Sequence, residues 1–481
     1  MQQASAKPVA AQNGDDVFLH RIGALDAALL DRYRDKIAVD PALTRRIVSF
    51  QANKNRRYYR WYKYKEAFSA ELVERLLRVY RVGQGKILDP FAGAGTALFV
   101  SSNLGYDADG VELMPVGQKI IAANVAARGA NRGGIVSAID EWLKKSPWKT
   151  KGKAKQFGVL RITDGAYPQS TRERIGRYLH EMEKQPAEAK EILRFALLCV
   201  LETVSYTRKD GQCLRWDYRS GRGNGKNNFN KGALPSFDDA IREKLSQISA
   251  DLTRSGCTDS FLSLVPTARK AGRINLLRGS CLDILPGIAA GAYSGIVTSP
   301  PYCNRYDYTR TYALEHALLG VSEAEQVALR QAMLSCTVEN KEKRLSDANP
   351  EWGGALAACD GIPLLREILR YLDDKREKRQ LNNPGLARMV RGYFCEMACV
   401  IYECHRVLRG GGVMFMVNDN VRYAGASISV DAILSAIAES VGLQVDAILV
   451  LPQGKGNSSQ QMGAHGREAL RKCVYVWRKA A

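Results

Sequence analysis

The segment Lys86–Thr96, which reads Lys-Ile-Leu-Asp-Pro-Phe-Ala-Gly-Ala-Gly-Thr, constrains the fold of this chain more than any other. Its apolar start predicts a short buried strand, and residues Thr96 to Asn103 predict the start of a helix. Gly93 and Gly95 permit a tight turn and a close approach of the backbone to a ligand. This order of elements is typical of α/β proteins that bind nucleotides or nucleosides, although neither the full G-x-G-x-x-G spacing nor a phosphate-binding lysine is present.

A second predicted strand, Asp107–Glu112, ends in an acidic residue about twenty residues after the glycine loop. A carboxylate at this position is well placed to accept hydrogen bonds from the hydroxyl groups of a ribose. We therefore expect Glu112 to be a ligand of a bound nucleoside.

A rigid polar corner ends another apolar strand in Gly295–Tyr302, which reads Gly-Ile-Val-Thr-Ser-Pro-Pro-Tyr. Pro300 and Pro301 fix two φ angles and remove two N–H donors, so the backbone cannot continue a strand ladder. Their carbonyl groups point outward, and Ser299 and Tyr302 are held in a defined direction. Because open α/β sheets bind ligands just beyond the carboxyl ends of their strands, this corner predicts part of a binding site.

The tetrapeptide Ser299–Tyr302 resembles the catalytic motif of the DNA amino-methyltransferases, which methylate exocyclic nitrogens of bases. Its Ser-first form is similar to the cytosine-N4 subgroup, whereas the adenine-N6 subgroup usually carries Asp there. The glycine loop resembles, over eight residues, the Asp-Pro-Phe-x-Gly-x-Gly-Thr loop that holds S-adenosylmethionine in the same family. The resemblance covers the sheet-forming parts of the chain.

This resemblance implies S-adenosylmethionine as the cofactor and assigns two sets of site residues. The implied catalytic residues are Ser299, Pro300, Pro301 and Tyr302. Asp283 stands where the family has an acidic residue that contacts the adenine amino group, after the third strand. The implied cofactor-binding residues are Asp89, Pro90, Phe91, Gly93, Gly95, Thr96, Glu112 and Asp283.

The fold that the resemblance implies is a seven-stranded, mostly parallel Rossmann-like methyltransferase sheet with helices on both faces, an antiparallel last strand and largely helical insertions. Residues 17–48 predict helix. We divide the chain into a flexible tail, a cofactor-lid segment with the first half of the sheet, an inserted candidate target-recognition region, a catalytic strand region, a second helical insertion and the second half of the sheet. These segments are 1–16, 17–128, 129–272, 273–316, 317–388 and 389–481.

The charge balance suits a nucleic-acid partner, since 70 Lys and Arg residues face 50 Asp and Glu residues and give a net charge of +20. A generally basic protein with no such partner is the simpler alternative. Double-stranded DNA is the expected substrate, and a cognate restriction endonuclease or other defence-system protein is an expected partner.

Two segments combine aromatic and basic residues, as proteins that stack on bases and contact phosphates do. Residues 56–68 suit either stacking or a lid over an adenine ring, and alternatively a satisfied aromatic cluster. The glycine-rich loop 206–226 could follow a phosphate backbone, or be an ordinary surface loop. Residues 303–312 are expected to fold over the target base. The candidate nucleic-acid-binding residues are Arg208, Lys209, Arg215, Arg219, Arg222, Lys226, Asn304, Arg305 and Tyr306.

The cysteine pattern argues against several other chemistries. Eleven Cys residues include no C-x-x-C pair, so neither a zinc ribbon nor a disulfide framework is indicated, and we expect no metal site. Carbon-5 methylation needs a thiolate nucleophile, usually in a Pro-Cys context, and the chain has no Pro-Cys dipeptide. With no apolar run of spanning length and no signal-peptide pattern, a cytoplasmic location is expected.

The predicted chemistry is direct methyl transfer to an exocyclic amine, whose lone pair is delocalised into the ring. Ser299 and the Pro300 carbonyl can draw hydrogen bonds from the amine, and Tyr302 can stack on a base taken out of the duplex. Methylation of adenine N6 and methylation of RNA are the alternatives, whereas nothing supports a DNA-binding role without catalysis, because every expected active-site position is filled. An enzyme of this kind requires that Phe91 and Pro300 lie at the same edge of one sheet.

Overall fold

A computed structural model describes residues 14–210, 213–222, 229–253, 270–452 and 470–481. Its largest sheet has eight strands in the order β1-β11-β12-β8-β7-β2-β3-β6, and two hairpins, β4–β5 and β9–β10, lie outside it. The strands are β1 Ile37–Val39, β2 Lys86–Asp89, β3 Asp107–Glu112, β4 Thr207–Asp210, β5 Cys213–Trp216, β6 Ile274–Arg278, β7 Tyr293–Thr298, β8 Leu408–Asp419, β9 Val421–Tyr423, β10 Ala426–Ile428, β11 Leu443–Val450 and β12 Lys472–Lys479.

Helices surround this sheet and build the inserted regions. They are α1 Gly14–Asp31, α2 Ala70–Val79, α3 Thr96–Asn103, α4 Pro115–Arg128, α5 Arg132–Lys145, α6 Gln169–Met182, α7 Ala187–Val204, α8 Phe237–Thr253, α9 Cys281–Ile284, α10 Tyr308–Thr311, α11 Ala313–Leu318, α12 Glu323–Ala332, α13 Leu345–Ala348, α14 Gly353–Gly361, α15 Pro363–Glu377, α16 Leu386–Val407 and α17 Val430–Ser440.

The mixed α/β architecture is the expected one, but the sheet has one strand more than the seven predicted. β12 runs antiparallel to both neighbours, β11 and β8, while the other adjacent pairs are parallel. The additional strand is β1, which pairs with the outer edge of β11. It arises within residues 17–48, where continuous helix was predicted: α1 ends at Asp31, and the β-branched pair Ile37 and Val39 then satisfies the backbone groups of that edge.

Both faces of the sheet are buried, and consecutive strand residues divide between them. In β2, Leu88 belongs to the core formed with α16 and α17, and Ile87 belongs to the core formed with α2 and α3. In β7, Ile296 and Val297 divide in the same way. These short strands therefore read as continuous apolar runs in the sequence.

The inserted region 129–272 is built from α5 to α8 and the hairpin β4–β5 in its described part. Its apolar residues share one core with α11 and with α4, which contacts β3 and β6. The second insertion contributes α12 to α15, of which α14 and α15 pack on α16. Both insertions are thus packed against the helices that cover the sheet.

The strand directions define one edge of the sheet, formed by the carboxyl ends of the parallel strands, at which a site can form. The parallel strands β2, β7 and β8 all end at this edge, and the antiparallel strand β12 begins there. Side chains from distant parts of the chain therefore meet at this edge, as in other open α/β sheets.

Candidate active site

A cavity of about 270 Å³ lies at this edge of the sheet. The glycine loop after β2 lines one part of it, through Asp89 to Ala94, and the corner after β7 lines another, through Ser299 to Tyr302. Phe91 and Pro300 therefore line the same cavity, as the spatial prediction required. The two segments begin at Asp89 and Ser299, far apart in the chain of 481 residues, and are brought together because β2 and β7 are neighbours in the sheet.

The Asp89 carboxylate holds the two segments in register. Its Oδ1 accepts a hydrogen bond from Thr298 Oγ1 at 2.7 Å and another from the Phe91 amide at 3.0 Å. Burial raises the pKa of Asp89 to about 7, against the lowering effect of these two bonds. Gly95 does not line the cavity; its φ of +79° starts α3, and a Cβ there would lie 2.8 Å from the Phe99 ring.

Glu112 lines the cavity beside the glycine loop, at the end of β3. Its two carboxylate oxygens accept hydrogen bonds from the amides of Gly93 and Met114, each at 2.6 Å. Burial raises the pKa of Glu112 to about 8. Gly117 was not predicted to take part in the site, but a Cβ there would lie 2.7 Å from the Gly93 carbonyl oxygen and 2.8 Å from Glu112 Cδ. Its absent side chain lets α4 pass close to the loop.

Asp283 does not lie in the cavity, so its prediction as an adenine ligand is wrong for this structure. It is exposed on the short helix α9, while Gly279, Ser280 and Cys281 line the cavity in this part of the chain. The chain turns directly after β6, at Gly279 with φ of +145°. That turn brings the first residues after the strand to the cavity and carries Asp283 past it.

The Ser-Pro-Pro-Tyr corner presents its polar groups to the cavity. Ser299 Oγ donates to the carbonyl oxygen of Val417 on the neighbouring strand β8 at 3.1 Å, and lies 3.3 Å from the Tyr302 hydroxyl. Because the Ser299 hydroxyl donates its proton in the bond to the Val417 carbonyl, the Ser299 oxygen can accept a hydrogen bond from another group. Burial raises the pKa of Tyr302, which keeps its hydroxyl neutral.

Two cavity residues, Asp419 and Lys472, were not recognised in the sequence. Asp419 ends β8, Lys472 begins β12, and the two are paired across the strands with 3.1 Å between Nζ and Oδ1. Lys472 Nζ also lies 3.5 Å from the Tyr302 hydroxyl and 5.3 Å from the centre of its ring. Burial lowers the pKa of Lys472, but Asp419 and Tyr302 outweigh it, and the pKa lies above its usual value.

The aromatic segment 56–68 serves as both a packed cluster and a cavity wall. Trp61 and Tyr62 are buried in the core of the inserted region, whereas Tyr64 to Phe68 line the cavity. Glu66 accepts hydrogen bonds from the hydroxyls of Tyr306 and Tyr312, in the chain that follows the Ser-Pro-Pro-Tyr corner. The two alternatives drawn from the sequence therefore describe different parts of one segment.

Lys209 was predicted to bind nucleic acid, and this prediction is wrong because its side chain does not reach the surface. It is buried, with Nζ 2.5 Å from Glu315 Oε1 and 3.1 Å from the Tyr62 hydroxyl. Along β4 successive side chains point to opposite faces, so Arg208 is exposed where Lys209 is buried. The basic pattern of the sequence could not distinguish these two faces.

The other candidate nucleic-acid contacts fall into several environments. Arg208 and Arg215 are exposed and directly opposed across β4 and β5, with Phe229 beneath both guanidinium groups. Arg219 forms an ion pair with Asp217 at 2.7 Å. Arg222 lies over the Trp216 ring, and Lys226 lies outside the described residues.

The three candidates after the catalytic corner also separate. Asn304 and Tyr306 line the cavity, whereas Arg305 points away from it and bonds Asn382 at 3.2 Å. Arg305 has a φ of +63°, which turns its side chain away from those of its neighbours.

Across the described ranges no helix is long and apolar enough to cross a membrane. No group of three or more His, Cys, Asp or Glu side chains within those ranges could hold a metal ion. The described cysteines whose side chains can be assessed are all free thiols.

No protein-family model matches the chain. It is 53% identical over 473 residues to the type II methyltransferase M.AvaI, both from Nostoc sp. strain PCC 7120 and from Anabaena variabilis, covering 98% of this chain and 97% of each relative. It is 38% identical over 459 residues to the type II methyltransferase M.BsoBI of Geobacillus stearothermophilus, covering 90% of this chain and 88% of that relative.

Proposed function

Because these relatives show that the chain belongs to the type II methyltransferases, we propose that it is a site-specific DNA methyltransferase that acts on the exocyclic N4 of cytosine in double-stranded DNA, with S-adenosylmethionine as methyl donor. The observation that carries the proposal is the single cavity lined by both the glycine loop and the Ser299–Tyr302 corner. A nucleoside bound on the loop and an amine bound at the corner would then be close enough to react.

The residues around the glycine loop fit a nucleoside cofactor with a sulfonium group. Gly93, with φ of +53°, brings the backbone to the cavity wall where a side chain would intrude. Glu112 offers carboxylate oxygens for ribose hydroxyls, and the side chains of Phe91 and Met114 offer apolar surface for a base. Bound there, the cofactor supplies an electrophilic methyl group.

The corner residues are suited to activate and hold the target amine. Ser299 Oγ and the Pro300 carbonyl can accept its two N–H bonds and so favour a pyramidal nitrogen with an available lone pair. Tyr302 would stack on the base once it has left the duplex. Because burial raises the pKa of the Cys281 thiol, which lines the cavity, and of the Cys303 thiol, a covalent thiolate mechanism is not supported, and transfer is proposed to be direct.

Contact with the DNA backbone is proposed for the exposed face of the β4–β5 hairpin. Arg208 and Arg215 are like charges directly opposed across two strands, and of the two Arg215 has an exposed ion pair with Asp210 at 3.4 Å. Both guanidinium groups are exposed and can take a further anionic partner. Phosphate oxygens would provide that anion. Asn304 and Tyr306 are better placed to meet the flipped base than the backbone, because they line the cavity.

The biological setting follows from the proposed substrate. A site-specific DNA methyltransferase of type II protects its own recognition sites, so a cognate restriction endonuclease is the proposed partner. The protein would act in the cytoplasm, where bacterial DNA is accessible.

We expect N4-methylcytosine, and no N6-methyladenine, in plasmid DNA methylated by the purified protein. Nucleoside mass spectrometry of the digested plasmid measures both products, and a digest of the same plasmid incubated without S-adenosylmethionine is the control. If N6-methyladenine is the only methylated nucleoside found, the target base is adenine and not cytosine. Methylation of transcripts but not of duplex DNA would replace the proposal by the RNA alternative.

Cofactor affinity is expected to strengthen as the pH rises from about 6.5 to about 8.5, through the raised pKa of Glu112. Ribose hydroxyls donate to the ionised carboxylate, so binding favours deprotonation and releases protons at neutral pH. Calorimetry in buffers of different ionisation enthalpy measures both the affinity and the protons released. Glu112→Gln should weaken binding and remove most of the pH dependence, leaving only a contribution from Asp89, whose pKa is also raised. An unchanged pH profile in that variant would remove Glu112 from the cofactor site.

A further inference from the structure

The Lys472 ammonium lies in the active-site cavity with donor capacity to spare. An ammonium group has three N–H donors. Its charge is paired with Asp419, with 3.1 Å between Nζ and Oδ1, and it donates one long hydrogen bond to the Tyr302 hydroxyl at 3.5 Å. Lys472 lines the cavity together with Ser299 and Tyr302, so its remaining donor capacity faces the space where a target base would lie.

The position of Lys472 is fixed by the strand that carries it. β12 runs opposite to its neighbours, so its first residue, and not its last, lies at the edge where β2, β7 and β8 end. The ladder pairs Lys472 directly with Asp419, the last residue of β8. This cross-strand ion pair, with both side chains about one quarter exposed, holds the long lysine side chain over the Tyr302 ring.

We propose that Lys472 contacts the target base and donates a hydrogen bond to its acceptor edge, beside the amine held by Ser299. In cytosine this edge is formed by N3 and O2, which are hydrogen-bond acceptors next to the exocyclic amine. The inference rests on the proposed function and deepens it, because it assigns a residue that positions the base and recognises its identity.

The chemistry of the two candidate bases makes the contact selective. Cytosine presents N3 and O2 along the edge next to its amine, whereas adenine presents N1 followed by a C–H group. A cationic donor that reaches past the ring nitrogen therefore finds a partner in cytosine and none in adenine. Asp419 keeps this donor oriented and balances its charge, so that the pocket does not gain an uncompensated cation.

The test combines a protein variant with changes in the base. Lys472→Met keeps the length of the side chain and removes its donors. Single-turnover rates and DNA affinity are measured on a duplex that contains one mapped methylation site, with cytosine, 3-deazacytosine or a 2-aminopyridine C-nucleoside at the target position. The first analogue lacks N3, the second lacks O2, and both keep the amine.

We expect Lys472→Met to lower the single-turnover rate on cytosine by roughly 10- to 100-fold, the range for one lost base contact. On the analogue that lacks the contacted atom, wild type and Lys472→Met should be equally active. If wild type and Lys472→Met have equal rates on one of the two analogues, the contact is supported, and the atom that this analogue lacks is the acceptor. If the variant is impaired by the same factor on cytosine and on both analogues, Lys472 acts only through the fold and the proposal is overturned.

Controls separate this result from a failure of the enzyme as a whole. Lys472→Arg keeps a cationic donor and should recover part of the lost rate. Lys86→Met makes the same change at the start of β2, which lies at the opposite edge of the sheet, and should leave the rate within about twofold. Calorimetry should give the same S-adenosylmethionine affinity for Lys472→Met as for wild type. If the wild type itself methylates no cytosine, the proposed function fails, and this inference fails with it.

Discussion

Replacing Ser299 with alanine is expected to lower the rate of methyl transfer by about 100- to 1000-fold, the usual effect of removing one group that stabilises a transition state by hydrogen bonding. Ser299 Oγ has its proton on the Val417 carbonyl, so the substitution removes an acceptor that faces the cavity and leaves only one buried carbonyl without its donor. Single-turnover methylation of plasmid DNA with labelled S-adenosylmethionine measures the rate. Tyr302→Ala should also remove most of the activity, because it deletes the stacking surface for the base.

The matched control for Ser299→Ala is Ser294→Ala, in strand β7, which leads into the corner that holds Ser299. Ser294 is buried and donates to the Lys86 carbonyl at 3.0 Å, at the end of β7 away from the cavity. Ser294→Ala loses one hydrogen bond, and Ser299→Ala loses the bond to Val417 and the longer one to Tyr302, so both melting temperatures should fall by small amounts. Only Ser299→Ala should lose activity. Equal rates for the two variants would show that the Ser299 hydroxyl has no part in the reaction.

Gly93→Val is expected to weaken the binding of S-adenosylmethionine by on the order of 100-fold, which corresponds to about 2.7 kcal/mol. A Cβ at Gly93 would lie 3.3 Å from the Tyr64 ring, and the remaining atoms of valine would extend into the cavity beside Glu112. Valine also tolerates the φ of +53° poorly, which strains the loop that donates an amide to Glu112. Calorimetric titration with the cofactor measures the loss.

The control for backbone strain is Gly291→Val. Gly291 has a φ of +67°, its Cβ would meet no atom closer than 3.9 Å, and it precedes β7 at the edge opposite the cavity. Gly291→Val should lower the free energy of unfolding by about 1–2 kcal/mol, as the backbone strain in Gly93→Val does, and should keep the wild-type affinity for the cofactor. Wild-type affinity in Gly93→Val would show that the glycine loop does not form the pocket.

Local sequence patterns determined the elements on both sides of the site. The apolar pair Ile87-Leu88 and the glycines after it predicted β2, the loop and α3, and the structure has helix α3 at Thr96–Asn103 as expected. These features are local: strand apolarity, the φ range of glycine and the fixed φ of proline act within a few residues. For the same reason the corner at Pro300 could be recognised without knowledge of its neighbours.

Errors arose where a side chain's direction depends on a turn or on the partner across a strand. Asp283 was expected in the cavity, but the turn at Gly279 carries it to the surface. Lys209 was grouped with exposed basic residues, but the pleat of β4 directs it into the core against Glu315. Neither the turn direction nor the face of a short strand is encoded by residue type alone.

A glycine loop and a rigid Ser-Pro-Pro-Tyr corner could be predicted from residue types, because both depend on the conformational limits of glycine and proline. That Asp419 and Lys472 complete the same cavity is visible only in the folded chain. They meet because β12 is inserted antiparallel beside β8, a pairing between residues far apart in the chain that no local pattern specifies.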